Sequence, residues 1–217
     1  MSNQDSFINE VSEEVRKDKL YALMKRYGWI AIALVVLVVG GASVFEWQKA
    51  KARAAAEATG DALLSALSAS SPADRAAAIA GFEPTGGAAQ AAVVGLLQAA
   101  AETEAGEDAK ARVTLSEIAA STDTPAIYRD LATLKAAMLP GGDPEDRIAR
   151  LHPLMTPGNP YRLLAIEQRA LAEIEMGNTD TAIQTLQDIL ADADRTEGLR
   201  RRASQLIVAL GGTLEES

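Results

Sequence analysis

Two stretches of the sequence decide the fold. Residues 91–119 read AAVVGLLQAAAETEAGEDAKARVTLSEIA, and residues 164–190 read LAIEQRALAEIEMGNTDTAIQTLQDIL. With an offset of 71 residues, Ala99 pairs with Ala170, Gly106 with Gly177, Ala111 with Ala182, Leu115 with Leu186, and Ile118 with Ile189. This pattern predicts two antiparallel helices per copy. Small residues allow the helices to approach closely, and the glycine permits a positive φ in the turn between them.

The turn glycines recur along the chain. Gly106, Gly141, Gly177 and Gly211 are separated by 35, 36 and 34 residues. A period near 34 built from two helices is typical of helical-hairpin repeats. Prolines 125 and 160 stand just before new first helices, where proline ends the preceding helix.

This spacing resembles that of tetratricopeptide (TPR) repeats over about residues 86–212. Two features depart from the TPR pattern: Arg169 stands where leucine is expected, and the central copy has an enlarged turn, LPGGDPED, at 139–146. The resemblance implies an α-solenoid of helical hairpins. The alternative is an irregular helical bundle in which the glycine spacing is coincidental.

The composition also favours helix. Hydrophobic residues make up 48% of the chain and aromatic residues only 4%, and much of the hydrophobic share is alanine. Alanine has the best helix propensity, whereas strands require β-branched and aromatic residues. We therefore expect an all-α protein.

A separate stretch near the N-terminus predicts a membrane helix. Residues 27–45, YGWIAIALVVLVVGGASVF, contain no charge, and 19 helical residues span nearly the whole hydrocarbon core of a bilayer. Tyr27 and Trp29 at one end, and Phe45 and Trp47 at the other, are suited to the two membrane interfaces. A buried helix of a soluble protein and a cleaved signal peptide are the alternatives.

Flanking charge indicates the orientation of this helix. Five basic residues lie within residues 16–26, and three (Lys49, Lys51 and Arg53) follow the segment. This excess predicts that the N-terminus is cytoplasmic and that the C-terminal part lies outside, in the periplasm of a bacterial cell.

The chain is therefore expected to have four parts. Residues 1–26 form a cytoplasmic tail with an amphipathic face at Phe7, Val11 and Val15, and residues 27–47 form the transmembrane helix. Residues 48–85 form linking helices, and residues 86–217 form the TPR-like domain. The tail either lies on the inner leaflet or docks a partner.

Several classes of function are not expected. The chain has no cysteine, one histidine (His152) and no nucleotide-binding, zinc-protease or nucleophile-elbow motif, so we predict neither enzyme, metal nor cofactor. Acidic residues such as Asp108, Glu145 and Asp146 suit helix N-termini better than metal ligation. The residues after 26 carry the whole net charge of −9, which does not suit nucleic acid.

The whole layout is similar to the YfgM-type family. The segments that carry this resemblance are DSFINEVSEEVRKDKLYALMKRYGW (5–29), in the form of its alphaproteobacterial branch, RYGWIAIALVVLVVGG (26–41) and EWQKAKARAAAEATGDAL (46–63). Members are bacterial inner-membrane proteins described as ancillary subunits of the SecYEG translocon. The resemblance implies association with the translocon and with periplasmic chaperones during protein export.

We therefore expect a protein-interaction module that is tethered to the membrane. Stacked hairpins form a concave surface that binds protein segments, and Glu167, Leu171 and Ile174 of a first helix are predicted groove positions. For Leu171 and Ile174 an ordinary core position is the alternative. The alternative function is a structural accessory subunit of another inner-membrane assembly, such as a respiratory or cell-division complex. The oligomeric state cannot be predicted.

Overall fold

The computed structural model describes residues 3–84 and 86–214, with side chains for residues 25, 26, 29, 30, 33–84 and 86–214. The helices are α1 (Asn3–Leu67), α2 (Pro72–Ala80), α3 (Ala88–Glu104), α4 (Asp108–Ala120), α5 (Ala126–Met138), α6 (Pro144–Leu151), α7 (Arg162–Glu175), α8 (Thr179–Ala191) and α9 (Glu197–Ala209). A short 3-10 helix, His152–Met155, follows α6. The described residues contain no β-strand, and the prediction of an all-α protein is confirmed.

The first helix contains the predicted membrane segment. It runs without interruption for 65 residues, and its section Ala33–Leu67 is long and apolar enough to cross a membrane. Its apolar side chains are exposed in the described structure: Leu34 and Val36 are each 64% exposed, and Leu37 is 75% exposed. The predicted amphipathic face of residues 7, 11 and 15 lies outside the described side chains.

The chain divides into two compact units, Met1–Ala56 and Glu57–Ser217. In the second unit, α2 starts at the Ser71 cap, whose hydroxyl accepts the backbone N–H of the third residue after it. Ile79 of α2 packs in one apolar cluster with Val94 of α3. Helix α2, which lies in the predicted linking segment 48–85, therefore packs against α3.

The offset of 71 residues extends over three pairs of helices. Both α4 and α8 start and end 71 residues apart, as do α5 and α9, and the ends of α3 and α7 have the same offset. The opening helices match with an offset of 72 residues: PADR (72–75) opens α2 and PEDR (144–147) opens α6. We call α2–α5 the first repeat and α6–α9 the second repeat.

Matching turns join the helices of α3–α4 and of α7–α8. Gly106 has φ +76° and Gly177 has φ +78°, as the sequence predicts. In each turn the glycine N–H bonds a carbonyl three residues back, and the next N–H bonds one five residues back, that of Glu102 or Glu173. This Schellman pattern satisfies the last carbonyls of the first helix, and such short turns make the two helices antiparallel.

The predicted small residues lie inside the helix pairs. Ala99 and Ala111 of the first repeat, and Ala170 and Ala182 of the second, are at most 2% exposed. The leucines and isoleucines predicted to face the core, Leu115, Ile118, Leu186 and Ile189, are buried as well. The central turn is enlarged, as expected: Gly141 and Gly142 both have positive φ, and the eight-residue α6 gives way to the 3-10 helix.

Candidate functional site

A groove crosses α5, α7 and α9. In the predicted hairpin scheme, in which α3–α4, α5–α6 and α7–α8 are hairpins and α9 begins another, these are the first helices. The groove encloses about 770 Å³. Its lining residues are Leu134, Met138, Leu164, Glu167, Gln168, Leu171, Arg202, Gln205, Leu206 and Ala209. Two of the three predicted groove residues, Glu167 and Leu171, therefore line it. Ile174 is not among the lining residues, although its side chain is only partly buried.

The apolar part of the groove surrounds a fixed polar centre. Met138 is 59% exposed and Leu164 is 40% exposed, whereas Leu134 is buried. The leucines at 171 and 206 are partly buried. The groove thus presents apolar surface to solvent on both of the flanking helices and on α7 itself.

The polar centre is the ion pair between Glu167 and Arg202. Nε of Arg202 donates to Oε1 of Glu167 at 2.6 Å, and Nη2 donates to Oε2 at 2.7 Å. Glu167 is only 5% exposed, so this two-point contact compensates a carboxylate that has lost its water. The hydrogen bond to Glu167 raises the pKa of Arg202 above its ordinary value. The sequence analysis treated Glu167 as a groove residue and did not foresee this partner.

The two repeats differ at this pair. Subtracting 71 from the numbers gives Leu96 and Leu131 in the first repeat. Leu96 is partly buried against the apolar cluster of that repeat. The ion pair is therefore a property of the second repeat, where two opposite charges correspond to the two leucines of the first repeat.

A second buried carboxylate occurs in both repeats. Oε2 of Glu102 accepts the Thr114 hydroxyl at 2.8 Å, and Oε2 of Glu173 accepts the Thr185 hydroxyl, also at 2.8 Å. Glu102 is 0% exposed and Glu173 is 3% exposed. Each bond joins the first helix of a hairpin to the second, so these carboxylates have a structural role.

The sequence contained the signal for this pair. In each copy a glutamate stands four residues before the turn glycine, and a threonine stands twelve residues after that glutamate. Further bonds complete the two sites: Gln98 donates to Glu102 at 2.9 Å, and Arg169 donates to Glu173 at 2.7 Å. Arg169, which departs from the TPR pattern, therefore has a defined partner.

The predicted interface aromatics lie on α1. Trp29, Phe45 and Trp47 are each between 66 and 68% exposed, and the side chain of Tyr27 lies outside the described set. Nζ of Lys51 lies 5.7 Å from the centre of the Trp47 ring, within the range of a cation–π contact. An aromatic and a basic side chain thus meet at the C-terminal end of the predicted span.

The remaining polar candidates lie at helix ends. Asp108, Glu145 and Asp146 occupy first turns of α4 and α6, as predicted, and His152 follows the last residue of α6. Among the described side chains of residues 25–84 and 86–214, no three or more histidine, aspartate or glutamate residues form a group that could hold a metal ion. Comparisons with protein-family models, with curated proteins and with solved structures give no match.

Proposed function

We propose that this chain is a membrane-tethered protein-interaction module that binds segments of partner proteins in the groove across α5, α7 and α9. The observation that carries the proposal is the apolar groove itself, which three successive first helices line together. A concave surface built from first helices is the usual binding face of stacked helical hairpins.

The finer architecture that we propose is a divergent TPR-like solenoid. Three features support it: turn glycines with positive φ, alanines buried between paired helices, and a groove lined by first helices. The short α6 and its 3-10 extension are the main irregularity, and we attribute them to the enlarged central turn.

The chemistry of the groove favours an extended segment with apolar side chains. Met138 and Leu164 offer exposed apolar surface, while Gln168 and Gln205 offer amides that can pair with a peptide backbone. Both oxygens of Glu167 already accept bonds from the arginine, so the centre of the groove does not select a strongly charged ligand. We therefore propose unfolded, moderately apolar polypeptide as the occupant.

Such an occupant suits protein export. The apolar helix α1 would hold the module at the inner membrane, and the basic flanks favour a cytoplasmic N-terminus and a periplasmic body. The likeness of the sequence to the YfgM-type family supplies the partner class. We propose that the chain acts beside the Sec translocon and periplasmic chaperones.

Affinity purification in mild detergent tests the proposal. A tagged full-length chain should recover translocon subunits and periplasmic folding factors, and Leu164→Asp in the groove should reduce that recovery severalfold. Val113→Asp is the matched control, because Val113 is an exposed apolar residue on α4 outside the groove. Recovery of stoichiometric respiratory or cell-division subunits instead would support the alternative function and refute this one.

Protease accessibility tests the proposed topology separately. Protease added to spheroplasts should degrade the helical body, while the tail before the span should survive inside. A protected body would show that the orientation is reversed.

A further inference from the structure

A second cavity lies away from the groove, where α4 and α5 meet α6. It encloses about 430 Å³, within the usual range for small-ligand sites, and shares no lining residue with the groove. Three arginines line it, Arg112 from α4 and Arg147 and Arg150 from α6. Much of the remaining wall consists of alanines from α4 and α5.

Two of these arginines are fixed in place. Nη2 of Arg112 donates to the carbonyl of Pro140 at 2.5 Å, and Arg147 pairs with Glu175 of α7. Arg147 Nε is nevertheless buried without a hydrogen-bond acceptor in the described structure. Because this atom is inaccessible from the cavity, Arg147 contributes positive charge to the wall and does not offer its Nε to a ligand.

The third arginine adds positive charge at the opening. Arg150 follows Arg147 by three residues, which places both on one side of α6, and its side chain is exposed. The cavity thus combines a guanidinium that Glu175 holds in place with a solvent-accessible one.

The second repeat has a related cavity with larger walls. It is lined by Leu190 and Ile207, which correspond at the offset of 71 to Ala119 and Ala136. The side chain of Ile207 is fully buried. The related cavity encloses about 410 Å³, so the two cavities are similar in size and differ in the side chains of their walls.

The charge has changed between the copies as well. The residue that corresponds to Arg112 is Ile183, which packs against the apolar cluster of the second repeat. The related cavity is lined by Arg195 and Arg200, whereas the arginines of the first cavity come from α4 and α6.

We propose that this cavity binds a carboxylate attached to a short aliphatic group, such as a small carboxylic acid or the C-terminal residue of a peptide. The guanidinium groups match the planar carboxylate, and the alanines accommodate the aliphatic part. Asp143 and Asp146 also line the cavity and offset the arginine charge, as Glu175 does for Arg147. Because these acidic residues offset part of the arginine charge, the cavity favours a ligand with one negative charge, such as a carboxylate, over phosphate, which carries about two. The site is independent of the groove and of its proposed function.

Calorimetric titration of the full-length chain in detergent tests this assignment. The probes are N-acetyl-trialanine with a free C-terminus, its C-terminal amide, butyrate and inorganic phosphate. The free tripeptide should bind and its amide should not. Arg150→Gln should weaken binding about tenfold or more, as expected for loss of a charge-assisted contact.

Two further variants separate ligand loss from loss of folding. Ala136→Ile keeps every arginine and places a larger side chain in the wall where the aliphatic part of the ligand would lie, and should weaken binding. Arg195→Gln in the related cavity should leave binding unchanged. Far-UV circular dichroism checks that each variant is folded.

Each outcome has a definite meaning. Binding of both butyrate and the tripeptide supports a site for small carboxylates in general, and binding of the tripeptide alone supports a site for chain termini. Phosphate that binds as well as the carboxylates, with the same dependence on Arg150, overturns the ligand class. No binding of any probe at about 10 mM, or binding unaffected in folded Ala136→Ile, overturns the site.

Discussion

Replacing Arg202 with leucine should leave the buried Glu167 carboxylate without its only described side-chain partner. Two charge-assisted bonds of 2.6 and 2.7 Å would be lost. Removal of one member of a fully buried pair costs about 3–5 kcal/mol. The arginine side chain is 51% exposed, however, so water screens the pair and can reach the orphaned carboxylate. We therefore expect a loss of about 2 kcal/mol, or roughly thirtyfold in the unfolding equilibrium.

The double variant Glu167→Leu with Arg202→Leu should recover most of this loss. It places in the second repeat the leucines that the first repeat carries at 96 and 131, and apolar replacement of a buried ion pair is often neutral or stabilising. Urea unfolding of the full chain in detergent, followed by far-UV circular dichroism, measures both variants. If the double variant is no more stable than the single one, the two repeats are not equivalent at this pair, and our reasoning from the internal copy is wrong.

Three further changes test the hairpins and their ion pairs. Gly177→Ala should lower the free energy of unfolding by about 1 kcal/mol because φ is +78° there, whereas Gly198→Ala, inside α9, should be neutral or stabilising in the same urea titration. Thr185→Val should cost about 1–2 kcal/mol by removing the hydroxyl donor from a buried carboxylate, measured likewise. The hydrogen bond from Arg162 lowers the pKa of Asp192, so this pair contributes stability above the ordinary carboxyl pKa of about 4 and loses it as the pH falls through the lowered value. Asp192→Asn should therefore reduce the difference between unfolding midpoints at pH 7 and pH 3, and an unchanged difference would contradict this.

Local features of the fold could be predicted from the sequence because they depend on residues close together in the chain. The turns at Gly106 and Gly177 require φ values that glycine adopts without strain, and these positions were identified from spacing alone. The alanine content indicated helix, and the uncharged run at residues 27–45 indicated the apolar section of α1. Each of these features follows from the backbone conformation or the hydrophobicity of residues that lie within a few helical turns of one another.

The groove was harder to predict, because its chemistry depends on partners that are distant in sequence. Glu167 was chosen as a groove residue from its place on a first helix, yet its charge is neutralised by Arg202, 35 residues away. The run of three arginines at 200–202 gave no sign of this. Arg200 instead pairs with Glu197 on the same helix, so neighbouring residues of one sequence run face different surroundings.

Comparison of the two repeats separates what builds the fold from what distinguishes its surfaces. Positions that are the same in both, such as Glu102 and Glu173 with their threonines, join the helices of a hairpin. Positions that differ include the groove pair, where leucines in one repeat correspond to opposite charges in the other, and the arginine cavity, where alanines correspond to leucine and isoleucine. The paired helices α4 and α8, and α5 and α9, keep the same bounds. Because a buried charge in place of leucine carries a cost in stability, a difference of this kind between copies of one framework marks a surface where binding is best sought.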